Sequence, residues 1–183
     1  LLLVSGGGSA LWCAPSCLDL DAKRRLTVHL QRAGADIGEL NTVRRHLSLI
    51  KGGGLLAATK ARVLSLLLSD VPGDAPWDVA SGPGVADPTT FEDALEVLRR
   101  YPGEPTAAAA ECFHRGARGE LPETVKPGSA VDARSDARVV GTSRTLLTEA
   151  AGYLERHLGV QVIELHHDLG GEASELARRH ARL

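Results

Sequence analysis

The chain contains no methionine in its 183 residues, and only two residues each of Trp, Tyr and Phe. A translated protein needs an initiator. The sequence, which opens at Leu1 on strand-like residues, is therefore expected to be a piece of a longer protein. Strong charge of either sign is also lacking. The net charge is −2, which excludes the basic footprint that nucleic acid demands. No apolar run approaches the roughly 18 to 20 residues that cross a bilayer, so no membrane partner is expected. Cysteine is sparse and odd in number, at positions 13, 17 and 112. That set argues against a disulfide scaffold and for a reducing cytoplasm. Cys13 and Cys17 also lack the second pair that a structural zinc site needs.

What is present is an alternation of short apolar runs with amphipathic ones. Leu1–Val4, Val63–Leu68, Ala137–Thr142 and Val160–Leu165 read as strands. Helices are predicted over Asp21–Ala33, from Asp36 with a capping-box Glu39, across Ser48–Thr59, up to Arg100, and over Pro105–Arg115, Arg144–Leu158 and Glu172–Arg182. Gly116–Ser135 is polar and reads as an extended surface loop. This order implies an α/β fold: a three-layer, mainly parallel sheet with helices on both faces, Rossmann-like in architecture. No repeat or low-complexity linker divides the chain, so residues 1–183 are read as one truncated domain.

Chemistry concentrates in a few blocks. Ser69-Asp70-Val71-Pro72-Gly73-Asp74 puts two carboxylates on a turn at the carboxyl end of a strand, where open α/β sheets place ligands. Asp70 and Asp74 suit Mg²⁺, a hard cation that prefers oxygen, or proton transfer from a hydroxyl. Turn residues that cap local backbone would look the same. Ser5-Gly6-Gly7-Gly8-Ser9 also follows a strand, and bare backbone N–H groups there can converge on a phosphate or carboxylate. The loop is neither a Walker A nor a G-x-G-x-x-G motif. A third block packs Asn41, Arg44, Arg45, His46, Ser48 and Lys51 ahead of three glycines. Arg44 and Arg45 point in different directions on a helix, so at most one faces a site. His166, His167 and Asp168 are a weaker candidate, lacking metal-ligand spacing.

These blocks, in order, carry a resemblance. Ser5-Gly-Gly-Gly-Ser9, Asn41-Thr-Val-Arg-Arg-His-Leu-Ser48, Lys51-Gly-Gly53, Ser69-Asp-Val-Pro-Gly-Asp74, Ala80-Ser-Gly-Pro83 and Asp87-Pro-Thr-Thr-Phe91 resemble the glycerate 2-kinase family, whose members have often been labelled hydroxypyruvate reductases. The resemblance covers essentially the whole chain. It implies transfer of the ATP γ-phosphoryl group to the 2-hydroxyl of D-glycerate, with ATP and Mg²⁺ as cofactors. It also implies that this chain is the later part of a first domain, with an upstream segment and a C-terminal domain elsewhere in the protein. A homodimer is left open.

On this reading Gly6, Gly7, Gly8 and Ser9, with Ser5, Asn41, Ser81 and Gly82, surround an anionic group. Arg44 and Lys51 neutralise its charge. Asp70 or Asp74 holds Mg²⁺ or accepts the hydroxyl proton. The alternatives are a hydroxypyruvate reductase and a non-catalytic module that binds a sugar acid or phosphate.

Overall fold

A computed structural model describes residues 1–165 and 173–182. Three parallel strands form one sheet in the order β1 (Leu2–Ser5), β2 (Val63–Leu68), β3 (Ser135–Gly141). The register pairs Leu2 with Ser65 on one side of β2, and Val63 with Ser135 on the other. The α/β reading with a parallel sheet therefore holds, and three of the four predicted strands form. Val160–Leu165 does not: these residues are irregular, with Val160, Ile163 and Leu165 exposed. An apolar run becomes a strand only beside a partner strand, and among the described residues none lies next to it. His166, His167 and Asp168 lie outside the described residues.

The helices, in chain order, are α1 (Gly8–Leu11), α2 (Leu20–Ala33), α3 (Ile37–His46), α4 (Gly54–Ala57), α5 (Phe91–Arg100), α6 (Ala107–Ala117), α7 (Ser143–Leu158) and α8 (Ala173–His180). Their ends follow local chemistry. Asp19 accepts the Ala22 N–H at 2.7 Å and starts α2, and Gly34, at φ 92°, ends it. Asp36 and Glu39 close both halves of the predicted capping box on α3, and Thr90 with Asp93 does so on α5. The helix read across Ser48–Thr59 shrinks to the single turn of α4. Gly52 and Gly53 precede that turn, and Gly53 sits at φ 77° where an added Cβ would clash with Val125.

The largest core lies among α2, α3, α5 and α6. Leu26, Leu30, Val43, Phe91, Leu95, Leu98, Cys112 and Phe113 meet there, all nearly sealed from solvent. Each buried Leu or Phe contributes about 1.5–3 kcal/mol, so this helical cluster dominates cohesion. A smaller cluster of Val4, Leu67, Val79 and Ala80 packs the Val79–Ser81 turn against the sheet. That contact brings the turn against the residues that follow β1.

Two expectations are corrected here. The polar stretch after α6 is not a surface loop throughout. Val125 is buried, donates its N–H to Gly52 O at 3.0 Å and accepts from Asp87 at 2.7 Å. The cysteines also form a disulfide, between Cys17 and Cys112, with α-carbons 6.0 Å apart. Their 95-residue separation hid the pair, because only tertiary packing lays the segment before α2 on α6. Cys13 stays free and exposed. Thiol titration of the native chain under non-reducing conditions should find one reactive thiol among these three, at Cys13. Three equivalent thiols would break the Cys17–Cys112 pairing.

Candidate functional site

The glycine loop leaves β1 at Ser5, turns at Gly7 with φ 79°, and enters the single turn of α1. The carboxyl end of the neighbouring strand β2 continues into Ser69 and Asp70. The two loops touch: a Cβ on Gly6 would fall on the Asp70 carboxylate, the movable end of an exposed side chain. Pro72–Asp74 forms the tight turn expected of Pro72 and Gly73. Asp74 ends it at φ 52°, a backbone region that a side chain other than glycine seldom adopts.

Ala80 and Ser81 are the other non-glycine residues with positive φ among those described, at 53° and 61°. Both stand against the glycine loop. The Ser81 hydroxyl lies 2.7 Å from that of Ser9, and Ala80 packs on Gly8. Strained backbone of this kind persists where surrounding structure holds it, and it clusters at functional sites.

The Lys51-Gly52-Gly53 turn is pinned to the same place. Gly52 and Gly53 donate to Ser81 O and Gly82 O at 3.0 and 2.7 Å. Lys51 then reaches across, and its Nζ donates to Ser9 O at 3.0 Å. Ser5 remains exposed, its hydroxyl turned to Gly6 O. Thus Ser5–Ser9, Lys51, Asp70, Ser81 and Gly82 gather at one end of the sheet.

Asn41 and the two arginines of α3 divide their work. Asn41 is buried; its Oδ1 accepts from the Ser81 hydroxyl and its Nδ2 donates to Asp78, each at 3.1 Å. Arg45 is also buried, and joins Asp78 at 2.9 Å and the fully buried Asp87 at 3.0 Å. Asp87 accepts in turn from the hydroxyls of Thr89 and Thr124. A continuous polar chain therefore runs from Ser9 through Ser81, Asn41, Asp78 and Arg45 to Asp87. Arg44 takes the other direction and lines a cleft with Ser9 and Lys51. One arginine faces the cleft and its neighbour is structural, as helical geometry required.

Sequence reasoning missed Lys23. It lies on α2 with its Nζ donating to Leu47 O at 2.6 Å, and it lines the same cleft as Arg44 and Lys51. The signal was available: Lys23 shares the inward face of α2 with Leu26 and Leu30, an unusual place for an ammonium group. The His46–Glu123 pair was missed as well. Burial disfavours the charged Glu123 carboxylate. The hydrogen bond and charge of His46 and the N–H groups of Thr124 and Phe91 outweigh it and hold the pKa at about 2.

Electrostatics single out the cleft. Burial first, then the neighbouring Lys23 and Arg44, lower the Lys51 pKa from 10.5 to about 8, against an opposing contribution from Cys13. Burial lowers Lys23 to about 8 as well, and Cys13 opposes that shift more than Arg44 adds to it. Arg44 is lowered by burial. For a metal, the described residues contain no cluster of three or more His, Cys, Asp or Glu side chains. Beside their hydroxyls and carbonyls, the loops offer Mg²⁺ the carboxylates of Asp70 and Asp74. That suits a cation commonly held by one or two carboxylates together with substrate phosphates and water. No described helix is long and apolar enough to cross a membrane.

Comparison with known proteins places these loops in a family. Residues 1–113 match the family described as a domain of unknown function, DUF4147. A protein of Agrobacterium vitis provisionally named hydroxypyruvate reductase is 41% identical over 178 residues, 96% of this chain and 39% of that protein. A protein of Pyrococcus horikoshii named glycerate 2-kinase is 38% identical over 177 residues, 95% of this chain and 39% of its own length. The crystal structure of glycerate kinase from Thermotoga maritima superposes with a TM-score of 0.68 at 36% identity, covering 84% of this chain and 35% of that one. The chain thus spans well under half the length of these relatives.

Two outcomes follow from the site. Replacing Asp87 by Ala removes one of the two carboxylates that balance buried Arg45 and leaves the Thr89 and Thr124 hydroxyls without that acceptor, and should destabilise the protein by about 3–5 kcal/mol in denaturant titration. A loss below about 1 kcal/mol would contradict the pairing. The lysines have folded pKa values below their ordinary 10.5, so the folded state binds fewer protons than the unfolded one between about pH 8 and 10.5. Their contribution to stability should therefore rise across that window. Affinity for an anion, which needs the charged ammonium groups, should fall above about pH 8. Lys51→Met should flatten both dependences.

Proposed function

Because this chain belongs to the DUF4147 family, and its relatives include proteins named glycerate kinase, we propose that it forms part of a glycerate 2-kinase. The reaction is transfer of the γ-phosphoryl group of ATP to the 2-hydroxyl of D-glycerate. One observation carries the reading. The Asp70 carboxylate sits directly on the glycine loop, whose other end is held by the Lys51 ammonium. Acid, bare backbone and cation are thereby assembled at one strand end.

Phosphoryl transfer asks for positioning and charge neutralisation more than for covalent help. The N–H groups of Gly6, Gly7, Gly8 and Ser9 cradle an anionic group, either substrate carboxylate or phosphate. Ser81, held by Asn41, fixes the orientation of Ser9. Arg44 and Lys51 offset negative charge on the same ligands. Asp70 or Asp74 accepts the proton of the 2-hydroxyl as its oxygen bonds to the γ-phosphorus and the bond to the ADP oxygen breaks. The other carboxylate would hold Mg²⁺, which would neutralise charge on the transferring phosphate. The remaining length of the protein is read as a second domain that closes the cleft.

A reductase reading draws on the name of the Agrobacterium relative. The glycine loop here lacks the spacing of a dinucleotide fingerprint. The deciding experiment offers the complete gene product ATP, Mg²⁺ and D-glycerate, follows ADP, and identifies the phosphorylated isomer. ADP with 2-phosphoglycerate is the expected result. NADH or NADPH consumption with hydroxypyruvate and no ADP would overturn it. Asp70→Asn and Asp74→Asn should each lower kcat by at least about 100-fold while the protein stays folded, the scale of general base catalysis. Near-normal turnover of both variants would remove the carboxylates from the mechanism.

A further inference from the structure

The cleft between α1, α2 and α3 holds about 170 Å³. Its polar lining is Ser9, Cys13, Lys23, Arg24, Thr27, Arg44 and Lys51, with no carboxylate among the lining residues. Lys23 and Lys51 are 6% and 3% exposed. Each ammonium donates to one carbonyl oxygen, Leu47 O or Ser9 O. Among the described residues, no Asp or Glu forms an ion pair with Lys23, Arg44 or Lys51. Lys23 and Lys51 are buried without counter-charge, which is costly, and half-buried Arg44 beside them adds repulsion. An anion entering the cleft removes that cost.

Two quantities narrow the anion. The first is charge: three converging cations, with Arg24 at the rim, overbalance a monoanionic carboxylate and match a dianion. The second is size. The cleft falls short of the roughly 300 Å³ at which pockets for organic ligands begin. It suits one tetrahedral oxyanion with a short carbon chain.

We propose that this cleft is a phosphate-monoester site in which Lys23, Arg44 and Lys51 together hold the dianionic phosphate of a small phosphorylated acid. Lys23, contributed by α2, is a ligand of that phosphate and not merely a tie to the end of α3. The inference rests on the kinase reading for its substrate class, a three-carbon acid phosphate. The binding it claims is measurable without turnover.

Cys13, free and exposed on the cleft wall, supplies the probe. The complete gene product is alkylated with iodoacetamide, and modification at Cys13 is read by peptide mass spectrometry. Inorganic phosphate and 2-phosphoglycerate are added without nucleotide, with acetate at matched ionic strength as the monoanion. Phosphate and 2-phosphoglycerate should slow alkylation at concentrations at least about tenfold below those at which acetate does, and Lys23→Met or Lys51→Met should weaken that protection by a similar factor. Lys23→Arg should keep most of it, since a guanidinium binds phosphate too. Should Lys23→Met fail to fold, Lys51→Met and Lys23→Arg carry the test. Equal protection by acetate, no protection by phosphate, or full protection in a folded Lys23→Met variant would overturn the assignment. Phosphate protection without ADP release would sink the kinase reading alone, whereas turnover without protection would sink this site alone.

Discussion

A guanidinium buried away from water must find its charge partners inside the protein, and Arg45 finds them in Asp78 and Asp87. Those two carboxylates lie on separate loops, one before the strained Val79–Ser81 turn and one after it. A single desolvated charge on α3 thereby fixes the path of that whole segment. The segment in turn presents Ser81 to Ser9, and Gly82 to Gly53. Such pairs add little net stability compared with apolar packing, but their geometry is exacting, because every partner left unmatched is expensive. The polar chain from Ser9 to Asp87 is best understood as a positioning device. The apolar cluster among α2, α3, α5 and α6 supplies most of the cohesion.

Around this frame the candidate site is made almost wholly from loops. Asp74, Ala80 and Ser81 hold left-handed backbone that a free chain would avoid. The sheet, the helical core and the Arg45 network together over-determine them. Oxyanion chemistry needs N–H groups, hydroxyls and charges to converge from different parts of the chain. A rigid frame with strained loops at the strand ends meets that need. The two buried lysines follow the same logic in charge: burial lowers the pKa of each to about 8, a cost that an anion in the proposed site would offset.

Much of this was legible along the chain. β2 and the capping box of α3 were readable, because caps and buried strands are set by residues a few positions apart. The glycine loop and the Asp70 block were readable as candidate site elements for the same local reason: glycine runs and paired acids after apolar strands have few structural uses. Lys23 was not recognised, although its place on the apolar face of α2 hinted at it. The fourth strand failed because six apolar residues carry no information about whether a neighbour exists to pair with. The Cys17–Cys112 bridge failed because a count of cysteines says nothing about which helices pack together.

By itself, then, the sequence determined the α/β alternation, the helix caps, the order of the motif blocks and the division of Arg44 from Arg45. Each of these depends on spacing within one or two turns of chain. Tertiary structure decided which charges are buried, that Arg45 and Asp87 neutralise each other, and that Lys23 joins Arg44 and Lys51 in one cleft. It also decided that the Asp70 carboxylate lies against Gly6 of the glycine loop. These outcomes depend on desolvation and on contacts between residues distant in sequence, and no local pattern encodes either.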